Sequence, residues 1–209
     1  MKPHLQPVNP QAEDSTIRTR GIVSSALYPR LLGNSWYELA TSVRRMHLED
    51  GAGVFRGVGS FRIRYGNGRL GRLLARLLRM PSATEAANTR LVITPLGQGE
   101  RWERSFDDQS LLSRQWEGRS GRLLEQIKLL ELEFRLEVRA GALLYRQVGA
   151  ALRLGPLRVP LPRRIAPHVE AREGPDDANR IHVVVAVTVA RAGLLIAYEG
   201  HLERQEAPS

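Results

Sequence analysis

Apolar and polar residues alternate with a period of two through most of the chain from Thr89 onward. Successive side chains of a β-strand point to opposite faces, so this alternation predicts half-buried strands separated by turns. An earlier segment, 54–65, shows the same pattern, with two glycines on its apolar face that indicate a closely approached or bent strand. The remaining predicted strands are 91–94, 100–106, 111–117, 123–127, 130–138, 143–154, 168–173, 181–189 and 194–202. The charged face of 130–138, which begins with Glu131, is expected to be solvated, and 156–167 is expected to be a proline-rich loop.

A sheet with this many strands must curl, split or close. We therefore predict an α+β, β-rich fold, a strongly curved antiparallel sheet or near-barrel of about nine to ten strands wrapping two helices. A two-sheet sandwich is the alternative. The 209 residues allow a sizeable core, and we expect one domain over 23–204, a disordered proline-rich tail over 1–22 and a loose tail over 205–209.

Two helices are predicted between the tail and the strands. In the first, Ser35 and Glu38 have the spacing of a capping box, and the apolar face is formed by Trp36, Ala40, Val43 and His47. The second covers 69–79, where leucines at helical spacing alternate with arginines until Pro81 ends the helix. Its apolar stripe is expected to pack on the sheet; lying on a membrane surface is the alternative.

Charge and composition limit the kinds of partner and the location that the sequence predicts. The formal charge is +9, and 29 of the 31 basic residues are arginine. They are spread along the chain rather than clustered, which disfavours nucleic-acid binding and leaves an anionic ligand, lipid head group or acidic partner as the sharper interpretation. The chain has no cysteine, no secretory signal pattern and no apolar run of membrane-spanning length, so we expect a cytoplasmic protein without a transmembrane segment.

The segment from Glu100 to Trp116 predicts a hairpin with a mixed inner face. Glu100, Trp102, Arg104 and Phe106 share one face of its first strand. Burying either charge alone costs several kcal/mol, so we expect the acid and the base to pair with each other or with a bound molecule. Binding pockets combine apolar walls with a few polar groups, which makes this face the best candidate site.

The candidate site residues follow from this face and from the first helix. His47 ends the apolar stripe of that helix and is predicted either to be a core histidine or to face a pocket as a general base or ligand donor. The ligand-binding candidates are Trp102, Phe106, Trp116, Arg45, His47, Glu100 and Arg104, and the catalytic candidates are His47, Glu100 and Arg104.

Motifs for other chemistry are missing or misplaced. The other histidines lack metal-ligand spacing, so no metal is expected. Residues 66–71 have G-x-G-x-x-G spacing, but no βαβ unit follows, so dinucleotide binding is disfavoured and no cofactor is expected. An anion at the N-terminus of the helix that follows remains an alternative.

A series of short motifs spans residues 27–204 in a fixed order. They are Tyr28-Pro29-Arg30-Leu31-Leu32-Gly33, Trp36, Val43-Arg44-Arg45-Met46-His47, Arg56-Gly57, the Leu/Arg segment ending at Pro81, Glu100 to Phe106, Pro160-Leu161-Pro162 with Ala166-Pro167, and Gly193-Leu194-Leu195 to Tyr198-Glu199-Gly200. With these motifs the chain resembles the bacterial family called domain of unknown function 4166. The resemblance implies a module that occurs alone, attached to reductase-like domains, or behind a membrane segment. It implies no activity. Many members have Trp where this chain has His201.

Three functions remain open on the sequence. In the first, the sheet encloses an apolar pocket for a lipid-like or aromatic small molecule, lined by Trp102, Phe106 and Trp116. In the second, the polar cluster performs acid–base chemistry, for example on the product of a reductase-type partner. In the third, the arginine-rich surface docks an acidic protein or an anionic membrane.

Overall fold

The computed structural model describes residues 26–47, 53–68, 81–176, 180–190 and 192–205. The predicted tail over 1–22, the Leu/Arg helix over 69–79 and residues 206–209 lie outside this part of the chain. The described elements are helix α1 Leu27–Leu32, a 3₁₀ helix Gly33–Glu38, helix α2 Thr41–Met46, and strands β1 Phe55–Tyr65, β2 Thr84–Leu96, β3 Gly99–Phe106, β4 Gln109–Glu117, β5 Leu123–Ile127, β6 Leu130–Arg139, β7 Ala142–Leu154, β8 Leu157–Pro160, β9 Pro167–Pro175, β10 Ile181–Val189 and β11 Gly193–Arg204.

The strands form a closed antiparallel barrel. Their order is β6-β5-β4-β3-β2-β1-β11-β10-β9-β7-β8, and an additional β6–β7 pairing closes the ring. Ten strands therefore make the barrel, and β8 is attached outside it as the partner of β7 alone. The prediction of a β-rich antiparallel near-barrel is confirmed, whereas the sandwich alternative is wrong. Closure removes the free edges that an open sheet of this size would expose.

The backbones of β1 and β11 approach each other very closely at two glycines. A Cβ atom on Gly59 would lie 1.8 Å from the carbonyl oxygen of His201, and one on Gly200 would lie 2.2 Å from the carbonyl oxygen of Ser60. Real Cβ atoms do not come so near, so only glycine fits at either position. This confirms the prediction that the glycine face of the first strand is closely approached.

The first helix was predicted as one continuous α-helix, and this prediction is wrong. Residues 33–38 form a 3₁₀ helix, Leu39 is extended, and α2 begins only at Thr41 without a side-chain cap. The Ser35–Glu38 capping box is therefore absent from these helices. The physical reason lies at Ala40, whose N–H donates to the carbonyl of Gly141 at 2.9 Å, in the turn between β6 and β7. This tertiary hydrogen bond replaces the one that would have continued the helix.

The helical segment 26–47 lies over one end of the barrel. Its contacts run from β4 and β6 on one side to β9 on the other. Leu27, Tyr28, Trp36, Val43 and Met46 are buried there and belong to the single hydrophobic core. The expectation that the sheet wraps two helices is not confirmed, because one predicted helix lies outside the described residues and the other covers the barrel end in short pieces. We call this the capped end.

Two further details differ from the sequence prediction. The stretch 156–167, expected as a proline-rich loop, contains strand β8. Glu131, expected on a solvated face of β6, is buried and accepts hydrogen bonds from Arg153 at 2.7 Å and Arg158 at 2.5 Å. Burial raises the pKa of Glu131, but the two arginines lower it by more, so its pKa lies below the usual value. No helix of the described residues is long and apolar enough to cross a membrane.

Candidate functional site

The inner face of β3 is the one that its alternation predicts. Glu100, Trp102 and Phe106 are buried, and the side chain of Arg104 is 15% exposed. Trp102 Nε1 donates a hydrogen bond to Glu100 Oε2 at 2.9 Å, so the acid and the indole form one unit. The strand therefore brings a carboxylate, a guanidinium and two aromatic rings into the barrel together.

Arg104 pairs with a carboxylate on another strand rather than with Glu100. Its Nη1 donates to Glu125 Oε1 on β5 at 3.2 Å and to Ser113 Oγ on β4 at 2.9 Å. The guanidinium also lies 4.6 Å from the centre of the Trp102 ring, within the range of a cation–π contact. Burial, the largest single effect, lowers the pKa of Arg104, but Glu125 and the nearby tyrosines Tyr198, Tyr145 and Tyr28 together raise it by more, so the pKa lies above its usual value. Of the two pairings expected for Glu100 and Arg104, the one with each other is therefore not found among the described residues, and the one with a bound molecule stays a prediction.

A chain of buried hydrogen bonds crosses the barrel beneath the helical segment. Tyr28 Oη donates to Gln115 Oε1 at 2.7 Å and lies 3.0 Å from Tyr145 Oη. Tyr145 Oη donates to Glu173 Oε1 at 3.0 Å, and His47 Nε2 lies 2.8 Å from Glu173 Oε2. We call these five residues the polar chain. It links α1, β4, β7 and β9 to the residue that follows α2.

Burial keeps the two phenols of the polar chain protonated. Desolvation raises the pKa of Tyr28 well above its usual value, and Glu173 raises it further. The pKa of Tyr145 is raised for the same two reasons, in the same order. Both phenols therefore remain neutral donors, as a buried hydroxyl beside a carboxylate should.

His47 is held firmly at one nitrogen and unpartnered at the other. Its side chain is 0% exposed, and its ring packs on Tyr28 with centroids 3.7 Å apart. In a neutral imidazole the bond to Glu173 requires the proton on Nε2, and Nδ1 is then an acceptor. Nδ1 is buried and has no hydrogen-bond partner in the described structure. Buried polar atoms are normally paired, so this one points to a missing partner.

A small cavity adjoins His47 at the capped end. Its volume is about 20 Å³, measured as the space open to the centre of a water molecule. About 10–15 Å³ of such space is enough for one water. It is lined by Ala26, Leu27, Met46, His47, Gly53, Phe55, Ile93, Pro95, Gly97, Gly99 and Glu100. His47 and Glu100, both predicted as site residues, thus face the same space.

A second and larger recess lies beside it, which we call the rim groove. Its volume by the same measure is about 230 Å³. The residues that line it are Leu96, Gln98, Gly99, Glu100, Arg114, Gln115, Trp116 and Glu117. Gly99 and Glu100 line both the cavity and the rim groove, so the two recesses are neighbours at the start of β3.

The predicted site residues fall into three groups. His47 and Glu100 line the cavity, and Glu100 and Trp116 line the rim groove. Trp102 and Phe106 are core residues that line neither recess, so the expected continuous pocket over the three aromatics is not found in these recesses. Arg45 is exposed on α2 and lines neither recess.

The sequence did not single out Tyr145, Gln115 or Glu173 for the site. Tyr145 and Gln115 face inward on strands whose alternation was recognised, which is the only signal that they carry. Glu173 belongs to a predicted strand, but its contact with His47 spans 126 residues of sequence and depends on barrel closure. The structure also stacks His182 on His201, 4.9 Å between ring centroids, because these residues are direct partners in the β10–β11 register. No cluster of the described residues could hold a metal ion.

Tyr198 gives a prediction for alkaline pH. It packs between Phe61 and Phe106, and burial raises its pKa from 10.0 to about 12. Between these values the unfolded tyrosine has lost its proton and the folded one has not, so stability falls as pH rises through this window, by roughly 3 kcal/mol at most. Urea unfolding at pH 9 and above should show a shallower alkaline loss in Tyr198→Phe. The exposed Tyr37→Phe is the matched control, and equal pH slopes in both variants would contradict the assignment.

Comparison with known proteins adds a family. The family described as "Domain of unknown function (DUF4166)" matches residues 39–202. No curated protein and no solved structure matches the chain. The match runs from before α2 to Leu202, two residues before the end of β11, and it includes the motifs from Val43 to Gly200, whereas the motif at 28–33 and Trp36 lie before it. The chain therefore belongs to the DUF4166 family.

Proposed function

We propose that the barrel binds a small molecule at its capped end, with an apolar body and a polar group that donates a hydrogen bond to His47 Nδ1. The observation that carries this proposal is the buried acceptor without a partner, next to a cavity. A buried acceptor left unpaired costs about 1–3 kcal/mol, which a ligand donor would recover.

The neighbouring groups suit such a ligand. Glu100 accepts from Trp102 through Oε2 and lines both recesses, so it can orient a polar group that passes between them. Trp116 and Leu96 offer apolar surface in the rim groove, where the body of the ligand would lie. The groove also carries polar side chains, Gln98, Arg114 and Glu117 among them, so it suits a ligand that joins an apolar part to several polar groups. Arg104, already paired with Glu125, supports the indole of Trp102 from behind.

Native mass spectrometry of freshly purified protein tests the proposal. We expect an additional mass that is released on denaturation. His47→Phe removes the acceptor and should lower the loaded fraction about 5- to 100-fold, the equivalent of about 1–3 kcal/mol. Trp116→Ser, on the outer rim, should lower it without touching the polar chain.

Arg45→Ala is the matched control, because Arg45 is exposed only two residues from His47. It should retain the additional mass. The proposal fails if the wild-type protein carries no releasable mass, or if all three variants remain loaded equally.

Acid–base catalysis at the same place is a second candidate. The specific observation in its favour is that Glu173 binds His47 Nε2 and leaves Nδ1 available to take a proton, the arrangement by which carboxylates orient catalytic histidines. Glu100 across the cavity would be the second acid–base group, and a product of a reductase-type partner would be the substrate. Turnover of such a compound that is lost in His47→Phe and in Glu173→Gln would favour catalysis over simple binding.

A further inference from the structure

The ribbon formed by the end of β7 and by β8 has two unlike faces. The register pairs Leu152 with Val159, Arg153 with Arg158, and Leu154 with Leu157. Paired residues share a face, so one face holds only aliphatic side chains and the opposite face holds the two arginines. We call residues 152–160 the outer ribbon. It is amphipathic although it lies outside the barrel.

The aliphatic face is unusually exposed. Leu154 is 49% exposed, Leu157 57% and Val159 38%. Leu129, 56% exposed, lies beside it, because its carbonyl accepts a hydrogen bond from the Arg153 N–H at 2.7 Å, and Ile165, 62% exposed, follows in the next turn. Single exposed leucines are ordinary, but three exposed aliphatic side chains on one face of a ribbon, with two more on the adjoining turns, mark an interaction surface.

The segment of chain that contains the ribbon carries charges of one sign. The sequence contains no Asp or Glu between Glu137 and Glu170, whereas it contains six arginines there. Arg153 and Arg158 share the single buried carboxylate of Glu131, which fixes the ribbon to β6 and leaves one positive charge in excess. Arg163 and Arg164 are exposed just beyond β8. A partner that complements this pattern carries negative charge at its surface and has an apolar layer beneath it, into which the aliphatic side chains can insert.

We propose that the outer ribbon docks onto an anionic lipid surface. Its aliphatic face would enter the boundary between head groups and acyl chains, and the arginines around it would lie at the level of the phosphates. Apolar burial alone or charge alone gives marginal membrane binding, and the two together give stable but reversible binding. The inference concerns a surface separate from the capped end and does not depend on the proposed ligand.

Vesicle co-sedimentation tests it with two compositions, phosphatidylcholine alone and phosphatidylcholine containing about one-third phosphatidylglycerol. We expect the full-length protein to bind the anionic vesicles, and binding to weaken as salt is added. The double variant Leu154→Ser/Leu157→Ser should lose at least about a hundredfold in binding, since each buried leucine contributes about 1.5–3 kcal/mol. Arg163→Gln/Arg164→Gln should lose about thirtyfold at low salt, at about 1 kcal/mol for each charge.

Leu112→Ser is the matched control, because Leu112 is 48% exposed on β4, a strand that does not pair with β7 or β8. It should bind as the wild type does. The proposal is overturned if the wild type ignores anionic vesicles at low salt, or if the leucine and arginine variants both bind like Leu112→Ser. It is also overturned if light scattering shows a dimer that only Leu154→Ser/Leu157→Ser abolishes, because a second copy would then cover the face.

Discussion

Replacing Gly59 by alanine is expected to destabilise the barrel by about 3 kcal/mol or more, enough to unfold many domains. The added methyl would meet the carbonyl oxygen of His201 at 1.8 Å, and this oxygen belongs to the backbone of the paired strand. It cannot turn away as a side chain could, so β1 and β11 must separate at the point where they pair. Urea denaturation followed by far-ultraviolet circular dichroism measures the loss.

Gly149→Ala is the control for this substitution. A Cβ atom there would meet only the side chain of Glu133, at 3.1 Å from a carboxylate oxygen that can move. Its cost should be about 1 kcal/mol, the general cost of a mild core or strand change. If Gly59→Ala were as stable as Gly149→Ala, the close β1–β11 approach would be wrong, and with it the tight closure of the barrel in this region.

Replacing Glu173 by alanine is expected to cost about 2–6 kcal/mol, at about 1–3 kcal/mol for each of the two buried donors that lose their acceptor. The carboxylate accepts from both Tyr145 and His47, and it is 7% exposed at its side chain. Its loss leaves two buried donors unpaired at the centre of the polar chain. Chemical denaturation of the purified variant gives the free energy of unfolding directly.

Two further variants serve as comparisons for the stability loss of Glu173→Ala. Glu173→Gln keeps one acceptor oxygen and should lose less than Glu173→Ala. Glu170→Ala, on the same strand but exposed and paired only with His168 at the surface, should change stability by less than about 1 kcal/mol. Equal losses for Glu173→Ala and Glu170→Ala would mean that the polar chain does not hold the capped end in place.

The sequence predicted the barrel because its strands have clear alternation. The inner face of β3 and the β5 and β10 segments agree with the structure, since each is set by local side-chain periodicity. The prediction of the first helix was wrong because the N–H of Ala40 donates its hydrogen bond to a distant backbone carbonyl, that of Gly141. The prediction that Glu131 is solvated was wrong because alternation shows only which face of a strand a residue lies on. It does not show whether another strand with arginines covers that face.

For a related reason, only part of the candidate site could be predicted from the sequence. His47 and Glu100 could be selected because a polar residue on an apolar face is unusual. Their partners could not be selected, because the contact of His47 with Glu173 depends on how the segment after α2 meets β9, across the closed ring. Trp116 was expected beside Trp102, yet it lies on the opposite face of its strand from Ser113, the residue that pairs with Trp102.

Long-range ¹H–¹⁵N correlation spectra of the histidine rings test the central claim most directly. We predict that in freshly purified protein His47 is protonated at Nε2 and that its Nδ1 signal carries the upfield shift of an acceptor that receives a hydrogen bond. After the bound molecule is stripped, Nδ1 should move to the position of a free imine nitrogen while Nε2 stays in place. A proton fixed on Nδ1, or a spectrum that stripping does not change, would contradict the account.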